Sequence, residues 1–354
     1  MTEPDDKDVI SILYPTVWFA QPGGLDRALS ELQAIDPRIE VVLAPFEEPH
    51  ERRAARGADP TKDWHADAPE VSDEVRDALS RSHAILALDA PVDIVDRAPN
   101  LRWIQAFGAG ADQFDSCNVH DAGITVTSSA GSNAIGIAEF AIGRVLEYNK
   151  RFIETREMQG TQTWEPRFGR EISGQTLGLV GLGAINSAVA ERARAFGMTV
   201  LATRGSANPG DTHPLVDELH PAAELMSVLA RCDAVISAVP DNPSSRGLFD
   251  TAAFAAMQPG AIFVNVGRGS LVDEAALVEA LESGHLGGAA LDVASSEPLP
   301  ADHPMWTAPR LSLSFHQAAV PEAMFANVHA LFNANVARFI ADEPLASVVK
   351  PPSV

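Results

Sequence analysis

Three short segments place residues capable of acid, base and anion chemistry at the ends of apolar runs. They are Asn265-Val266-Gly267-Arg268-Gly269-Ser270, Leu291-Asp292-Val293-Ala294-Ser295-Ser296-Glu297-Pro298 and Ser314-Phe315-His316-Gln317. Each apolar run reads as a β-strand, and the carboxyl edge of an open α/β sheet is where ligand-binding groups are presented. An imidazolium donates a proton near neutral pH, which gives His316 the part of the acid. A carboxylate beside it favours the charged ring and holds its orientation, a part that suits Glu297. A guanidinium can grip a carboxylate while polarising the carbonyl next to it, and Arg268 fits that task. With a hydride donor added, this set is what reduction of a 2-keto acid requires. Singly, each residue has a structural explanation: an arginine on a surface turn, an acid before a proline, a histidine ending a strand. Their convergence on one edge is what points to catalysis.

A place for the hydride donor lies upstream. The run Leu177-Gly178-Leu179-Val180 passes into Gly181-Leu182-Gly183-Ala184-Ile185-Asn186 and then an alanine-rich helix. A glycine turn between strand and helix lets backbone N–H groups and the positive helix end meet a pyrophosphate. Gly181, Leu182, Gly183, Ala184 and Ile185 are therefore candidate cofactor-binding residues. Asn186 departs from the fingerprint, because a third glycine usually allows close helix–strand packing there. It calls for either a shifted helix or weaker binding. The next strand ends in Thr203-Arg204-Gly205-Ser206. An acid at that point accepts bonds from the ribose hydroxyls of NAD, whereas the planar fork of an arginine pairs with a 2′-phosphate. Arg204, with Thr203 beside it, favours NADP over NAD.

The elements that must position these groups follow an α/β pattern, in which short apolar runs alternate with amphipathic stretches. A first doubly wound unit takes strands at residues 9–13, 39–43, 84–88, 102–106 and 125–127, with helices near 25–35 and 71–79. Small residues from Ser128 to Ser132 lead into a long connecting helix carrying Ile135, Ala138, Ile142, Val145 and Leu146 at helical spacing. A second doubly wound unit takes strands at 177–180, 199–202, 234–239, 261–266, 289–293 and 311–315. Residues 321–340 read as one terminal helix whose apolar side, with Phe325, Val328, Phe332 and Val336, packs back on the first unit. Residues 45–69, rich in charge, Gly and Pro without periodicity, read as a mobile surface excursion.

Bulk properties narrow the class further. A chain of 354 residues suits two domains with a ligand cleft between them. With 46% hydrophobic and 21% charged residues it is globular, and it lacks the roughly 20-residue apolar run that a membrane span requires. A formal net charge of −22 opposes binding to nucleic acid. Cys117 and Cys232 are too few and too far apart for a disulfide framework or a zinc site, so they are expected to be buried and no metal is expected. The acidic start, with Glu3, Asp5, Asp6 and Asp8, is unlike a signal peptide and points to a cytoplasmic protein. Lysine occurs only as Lys7, Lys62, Lys150 and Lys350, a bias that salt adaptation or genome composition could each produce.

Taken together, the ordered motifs resemble the D-isomer-specific 2-hydroxyacid dehydrogenase family. The resemblance rests on Arg268, Glu297 and His316 with their flanking Arg-Gly, Val-Asp, Glu-Pro-Leu and His segments. It extends to residues 101–112, to Ala138-Glu139, to Val239-Pro240 and to Ser245-Arg246-Gly247-Leu248, and so covers roughly residues 80 to 340. It implies a Rossmann cofactor domain inserted in a flavodoxin-like substrate domain. The boundaries are then 1–128 for the first part of the substrate domain, 129–317 for the NAD(P)-binding domain and 318–354 for the returning helix. It implies that Gly108, Ala109 and Gly110 bind the substrate carboxylate with Arg268 and His316. By matching position, Asp292 holds the nicotinamide carboxamide, although a structural role at the strand end is equally open. Val239, Pro240 and Val266 fall among the cofactor contacts. The substrate would be a small 2-keto or D-2-hydroxy acid such as glyoxylate or hydroxypyruvate, and the protein a homodimer joined through its cofactor domains. Asn242, where the family usually has Thr, and Gln317 do not identify the substrate. A coenzyme-sensing regulator on the same fold is the rival reading; a formate or phosphite enzyme is weaker, because the polar pocket signatures are missing.

Overall fold

Runs of small and branched apolar residues form buried parallel strands in the computed structural model, which describes residues 9–12, 24–46, 48–59, 62–66 and 68–349. The chain divides into two units, one built from residues up to Ser132 and from Glu322 onward, the other from Asn133–Pro321.

The first unit contains β1 (Val9–Ile12), α1 (Gly24–Gln33), β2 (Glu40–Leu43), α2 (His50–Ala58), α3 (Asp73–Arg81), β3 (Ala84–Ala87), α4 (Ile94–Arg97), β4 (Trp103–Ala106) and β5 (Thr125–Thr127). All pairings are parallel, in the order β2-β1-β3-β4-β5, the flavodoxin-like arrangement. Alternation decides which face each side chain serves: Ile85, Ala87, Ile104 and Ala106 enter one core, while Ala84, Leu86 and Trp103 enter the other.

The second unit contains α5 (Ala134–Asn149), α6 (Phe152–Gly160), β6 (Thr176–Val180), α7 (Ala184–Ala195), β7 (Thr199–Arg204), β8 (Glu218–Pro221), α8 (Leu225–Leu229), β9 (Ala234–Ser237), α9 (Thr251–Ala256), β10 (Ile262–Asn265), α10 (Glu274–Glu282), β11 (Gly288–Leu291) and β12 (Leu311–Leu313). Its seven strands lie in the order β12-β11-β10-β9-β6-β7-β8, again all parallel, which is the Rossmann arrangement with a strand added at one edge. Leu177, Leu179, Ile236 and Val264 face the core under α5 and α7; Val180, Val235 and Phe263 face the other. The strand order reverses between β6 and β9, and a crevice for a ligand opens at such a switch point. Helix α11 (Pro321–Ile340) then supplies Val328, Phe332 and Val336 to the first unit's core, where Phe332 and Phe339 lie 5.3 Å and 5.6 Å from Trp103.

Several expectations need correction. Residues 45–69 are not an aperiodic excursion: α2 forms within them and carries Arg56, which is wholly buried. Strands expected at 234–239, 261–266, 289–293 and 311–315 end earlier, at Ser237, Asn265, Leu291 and Leu313. The apolar run outlasts the strand because its last residues step off the sheet as buried loop, as Val266 and Val293 do. Strand β8 and helix α6 had no sequence signal, since β8 is an edge strand of intermediate burial and α6 buries no residue. Cys117 and Cys232 are buried free thiols, each pushed up to about 12 mainly by loss of water. No helix among the described residues is long and apolar enough to cross a membrane.

Candidate active site

The carboxyl edge of the second sheet collects the chemistry. Three neighbouring strands, β10, β11 and β12, each release a loop there, carrying Arg268, Glu297 and His316 respectively. His316 Nδ1 and Glu297 Oε2 are 2.8 Å apart, with both side chains part-exposed. Glu297 Oε1 accepts the N–H of Ala294 at 2.9 Å, which fixes the carboxylate from the opposite side. With Nδ1 turned to the acid, Nε2 is the ring nitrogen left for a ligand.

The loop holding His316 is conformationally demanding. Phe315 and His316 both adopt left-handed backbone, at φ 53° and 57°, a region that non-glycine residues seldom occupy. Asp292 holds them there. Its carbonyl accepts the N–H of His316, and its buried carboxylate accepts Ser314 Oγ at 2.8 Å, Gln317 N at 3.0 Å and Ala318 N at 3.1 Å. The carboxylate is thus committed to the loop beneath the histidine.

Arg268 sits on a turn closed by buried Asn265, whose amide donates to the Arg268 carbonyl at 2.9 Å and accepts from Gly267 N at 3.1 Å. The exposed guanidinium donates to the Gly267 carbonyl at 2.9 Å and bonds neither Glu297 nor His316. The two loops nevertheless touch: a Cβ on Gly269 would lie 1.9 Å from the Ala294 carbonyl carbon, so only glycine fits. Arg268 also lowers the Asp241 carboxyl, although the larger cause is the bond from Arg246, at 2.9 Å and 3.0 Å. No group of three or more His, Cys, Asp or Glu that could hold a metal occurs among the described residues.

Further along the same edge, at the switch point, Gly181 takes φ 82° and donates its N–H to the Thr203 carbonyl at 3.0 Å. A side chain on Gly181 would collide with Val239, at 2.6 Å, so the glycine is required. Thr203 is itself buried and serves this turn through its carbonyl, whereas Arg204 is exposed. The Arg204 side chain makes no hydrogen bond or ion pair among the described residues, and it lines a cavity of about 430 Å³ with Ser206, Thr212 and His213. Pro240 is exposed and its carbonyl accepts Ser245 Oγ at 2.8 Å; Val266 is buried, its N–H donated to Ser237 at 3.0 Å. In the first unit, Gly108, Ala109 and Gly110 follow β4; the Gly108 carbonyl accepts Ser129 N at 2.9 Å, and no acceptor among the described residues takes their own N–H groups.

Residues 142–318 match the family model described as D-isomer specific 2-hydroxyacid dehydrogenase, NAD binding domain. A glyoxylate reductase of Thermofilum pendens is 32% identical over 268 residues, covering 73% of this chain and 77% of the relative. The chain belongs to the D-isomer specific 2-hydroxyacid dehydrogenase family. It is thus an oxidoreductase with an NAD-binding domain. Two solved family structures are similar over 97% of this chain, each with a TM-score of 0.74. One, from Aeromonas salmonicida subsp. salmonicida A449, is 26% identical and covered to 99%. The other, from Xanthobacter autotrophicus Py2 in complex with NADPH and MES, is 27% identical and covered to 98%.

The residues of this dehydrogenase fit a dinucleotide. No side chain caps the N-terminus of α7, so its first N–H groups stay open, and the space beside Gly183 is clear. Leu182 is buried beneath the turn, Ile185 is half-buried, and Gly183 and Ala184 are exposed above it. The buried amide nitrogen of Asn186 donates to the Val180 carbonyl at 3.0 Å and the Gly181 carbonyl at 2.7 Å, while its Oδ1 accepts no hydrogen bond among the described residues. Hydrogen bonds replace the close contact a third glycine would give, and they brace the same turn.

Reading the sequence alone missed Asn265, Ser314, Ser295 and Glu274, all of which act on these loops. Only Glu274 carried a signal, as an acid in the first turn of a helix, and that signal speaks of helix capping.

Proposed function

We propose that this family member interconverts a small 2-keto acid and its D-2-hydroxy acid, with NADPH as the preferred coenzyme. The observation that carries the reading is the 2.8 Å contact between His316 and Glu297 on a loop beside that of Arg268. A nicotinamide coenzyme, when bound, would supply or accept the hydride at the reacting carbon. His316 gives its Nε2 proton to the carbonyl oxygen in reduction and takes it back in oxidation. Glu297 stabilises the imidazolium and keeps Nε2 outward. Arg268 pairs with the substrate carboxylate and polarises the adjacent carbonyl, and the N–H groups of Gly108, Ala109 and Gly110 are further donors assigned to that carboxylate.

The open N–H groups at Ala184 and Ile185 receive the pyrophosphate, Val239, Pro240 and Val266 border the coenzyme, and Arg204 takes the 2′-phosphate. Asp292 acts through the His316 loop. Glyoxylate and hydroxypyruvate are the first substrates to test, supported by the Thermofilum relative's name. The protein pairs through its cofactor domain into a homodimer, a reading supported by Trp164 and Phe168, which are 97% and 86% exposed.

Purified protein is expected to oxidise NADPH with a member of a 2-keto acid panel, and His316→Ala to slow it by about 10²–10⁴-fold while leaving the fold intact. No turnover with either coenzyme across the panel would overturn the assignment.

A further inference from the structure

A second carboxylate, that of Glu274, reaches the loop that carries Glu297, and the reaction as described does not use it. Glu274 is the first residue of α10, next to Asp273, which caps the helix by accepting Ala275 N and Ala276 N at 3.1 Å. With the cap already supplied, Glu274 turns to the loop after β11. Its Oε1 accepts the N–H of Ser295 at 2.7 Å and its Oε2 accepts the Ser295 hydroxyl at 2.8 Å. His303 Nε2 stands 3.4 Å from the same Oε2, while His303 Nδ1 accepts the N–H of Met305 at 3.4 Å. An imidazole accepting at Nδ1 carries its proton on Nε2, so His303 presents a donor to Glu274. The Glu274 side chain is only 10% exposed. An acid serving the helix dipole alone would point to solvent and be worth about 0.3–1 kcal/mol; this one takes two bonds from another loop.

That loop is short and ends at the acid that touches His316. Ala294 is pressed on Gly269 and donates to Glu297, Ser295 is held by Glu274, and two residues later Glu297 meets His316. We propose that Glu274 is a positioning residue for the reaction: by clamping Ser295 it sets the place from which Glu297 orients the His316 ring. The proposal rests on the roles given above to Glu297 and His316. Orientation of catalytic groups is steeply sensitive to displacement, with about 1 Å able to cost 10²-fold.

Three variants, Glu274→Ala, Glu274→Gln and Ser295→Ala, test this beside Glu297→Gln, using the best keto acid of the panel with NADPH. Nitrogen-15 spectra of the histidine rings in coenzyme-free protein give a readout apart from turnover. Glu274→Ala is expected to lower kcat by about 10-fold or more, to leave the KM for NADPH within about two-fold, and to move the His316 ring resonances. Glu274→Gln keeps an acceptor for Ser295 N–H and is expected to restore most of the rate; Ser295→Ala is expected to fall between. Native kcat and native His316 resonances in Glu274→Ala, with Glu297→Gln impaired, would overturn the positioning role alone. An unimpaired Glu297→Gln would instead sink the catalytic reading beneath it. If Glu274→Ala does not fold, Ser295→Ala decides, and native rate with native resonances there overturns the proposal.

Discussion

Asp292 holds the backbone of the loop that carries His316. Two consecutive left-handed residues persist only where their surroundings over-determine them, and here one buried carboxylate binds the hydroxyl of Ser314 and the N–H groups of Gln317 and Ala318. Asp292→Asn would set an amide donor against donors already present. A stability loss of about 1–3 kcal/mol is expected from the unsatisfied groups, together with a fall in kcat; a variant with native kcat would show that the loop holds itself. Arg204, proposed above to take the 2′-phosphate, makes a different prediction. Arg204→Asp is expected to reverse the preference from NADPH toward NADH by about 10–100-fold, the loss of a charge-assisted bond worth about 1.5–3 kcal/mol. An unchanged ratio of the two rates would remove Arg204 from the ribose end. At this scale the placement of Arg268, Glu297 and His316 on the loops after β10, β11 and β12 was legible, because each closely follows an apolar run. Whether Asp292 serves cofactor or loop was not, because its partners are backbone N–H groups some twenty residues on.

Helix α2 is where composition misled. Four of its nine residues are charged and its apolar side chains are only alanines, so no large apolar residue announces a buried face. Burial comes instead through paired charges: Arg56 Nη2 meets Asp89 at 2.6 Å and the Gln113 carbonyl at 3.1 Å, and Arg56 Nε lies 3.3 Å from Glu48, which Arg52 also contacts at 2.6 Å. This network fastens α2 to the loop after β3 and to the turn of residues 112–117. Periodicity finds apolar faces, so an ion-paired one escapes it; the same blindness hid β8, which offers Glu-Leu-His-Pro to the sheet edge. Arg56→Met would leave two buried carboxylates without their shared cation, an expected loss of about 3–5 kcal/mol in urea unfolding. Burial pushes the Asp89 carboxyl up to about 7, against the pull of Arg56. Its folded value therefore exceeds the unfolded one, near 3.9, and between these the unfolded chain holds fewer protons at this site. Asp89 thus costs stability increasingly as pH rises from about 4 to 7. Measured against Asp89→Asn, the native protein should lose ground across that window; a constant or opposite difference would mean that Asp89 stays ionised throughout.

At the scale of the whole molecule, alternation of strand and helix made both doubly wound units legible, because parallel strands buried on two faces must read as short apolar runs. Order within each sheet was less so, since nothing in a single strand states which neighbour it will pair with. Net charge is the property that no fold reading uses, yet it bears on the entire surface. A formal charge of −22 stores repulsion among carboxylates that folding brings closer together. Sodium chloride screens exposed charges over about 10 Å at 0.1 M and about 3 Å at 1 M, while buried pairs such as Arg56–Asp89 are screened far less. Raising the salt from about 0.05 M to 1 M is therefore expected to raise Tm, most steeply at the low end where the screening length changes fastest. Chloride is the right anion for the test, because sulfate would stabilise by exclusion from the surface whatever the charge. A Tm that stays level or declines in sodium chloride would show that the acidic surface is already spaced widely enough to carry no net strain.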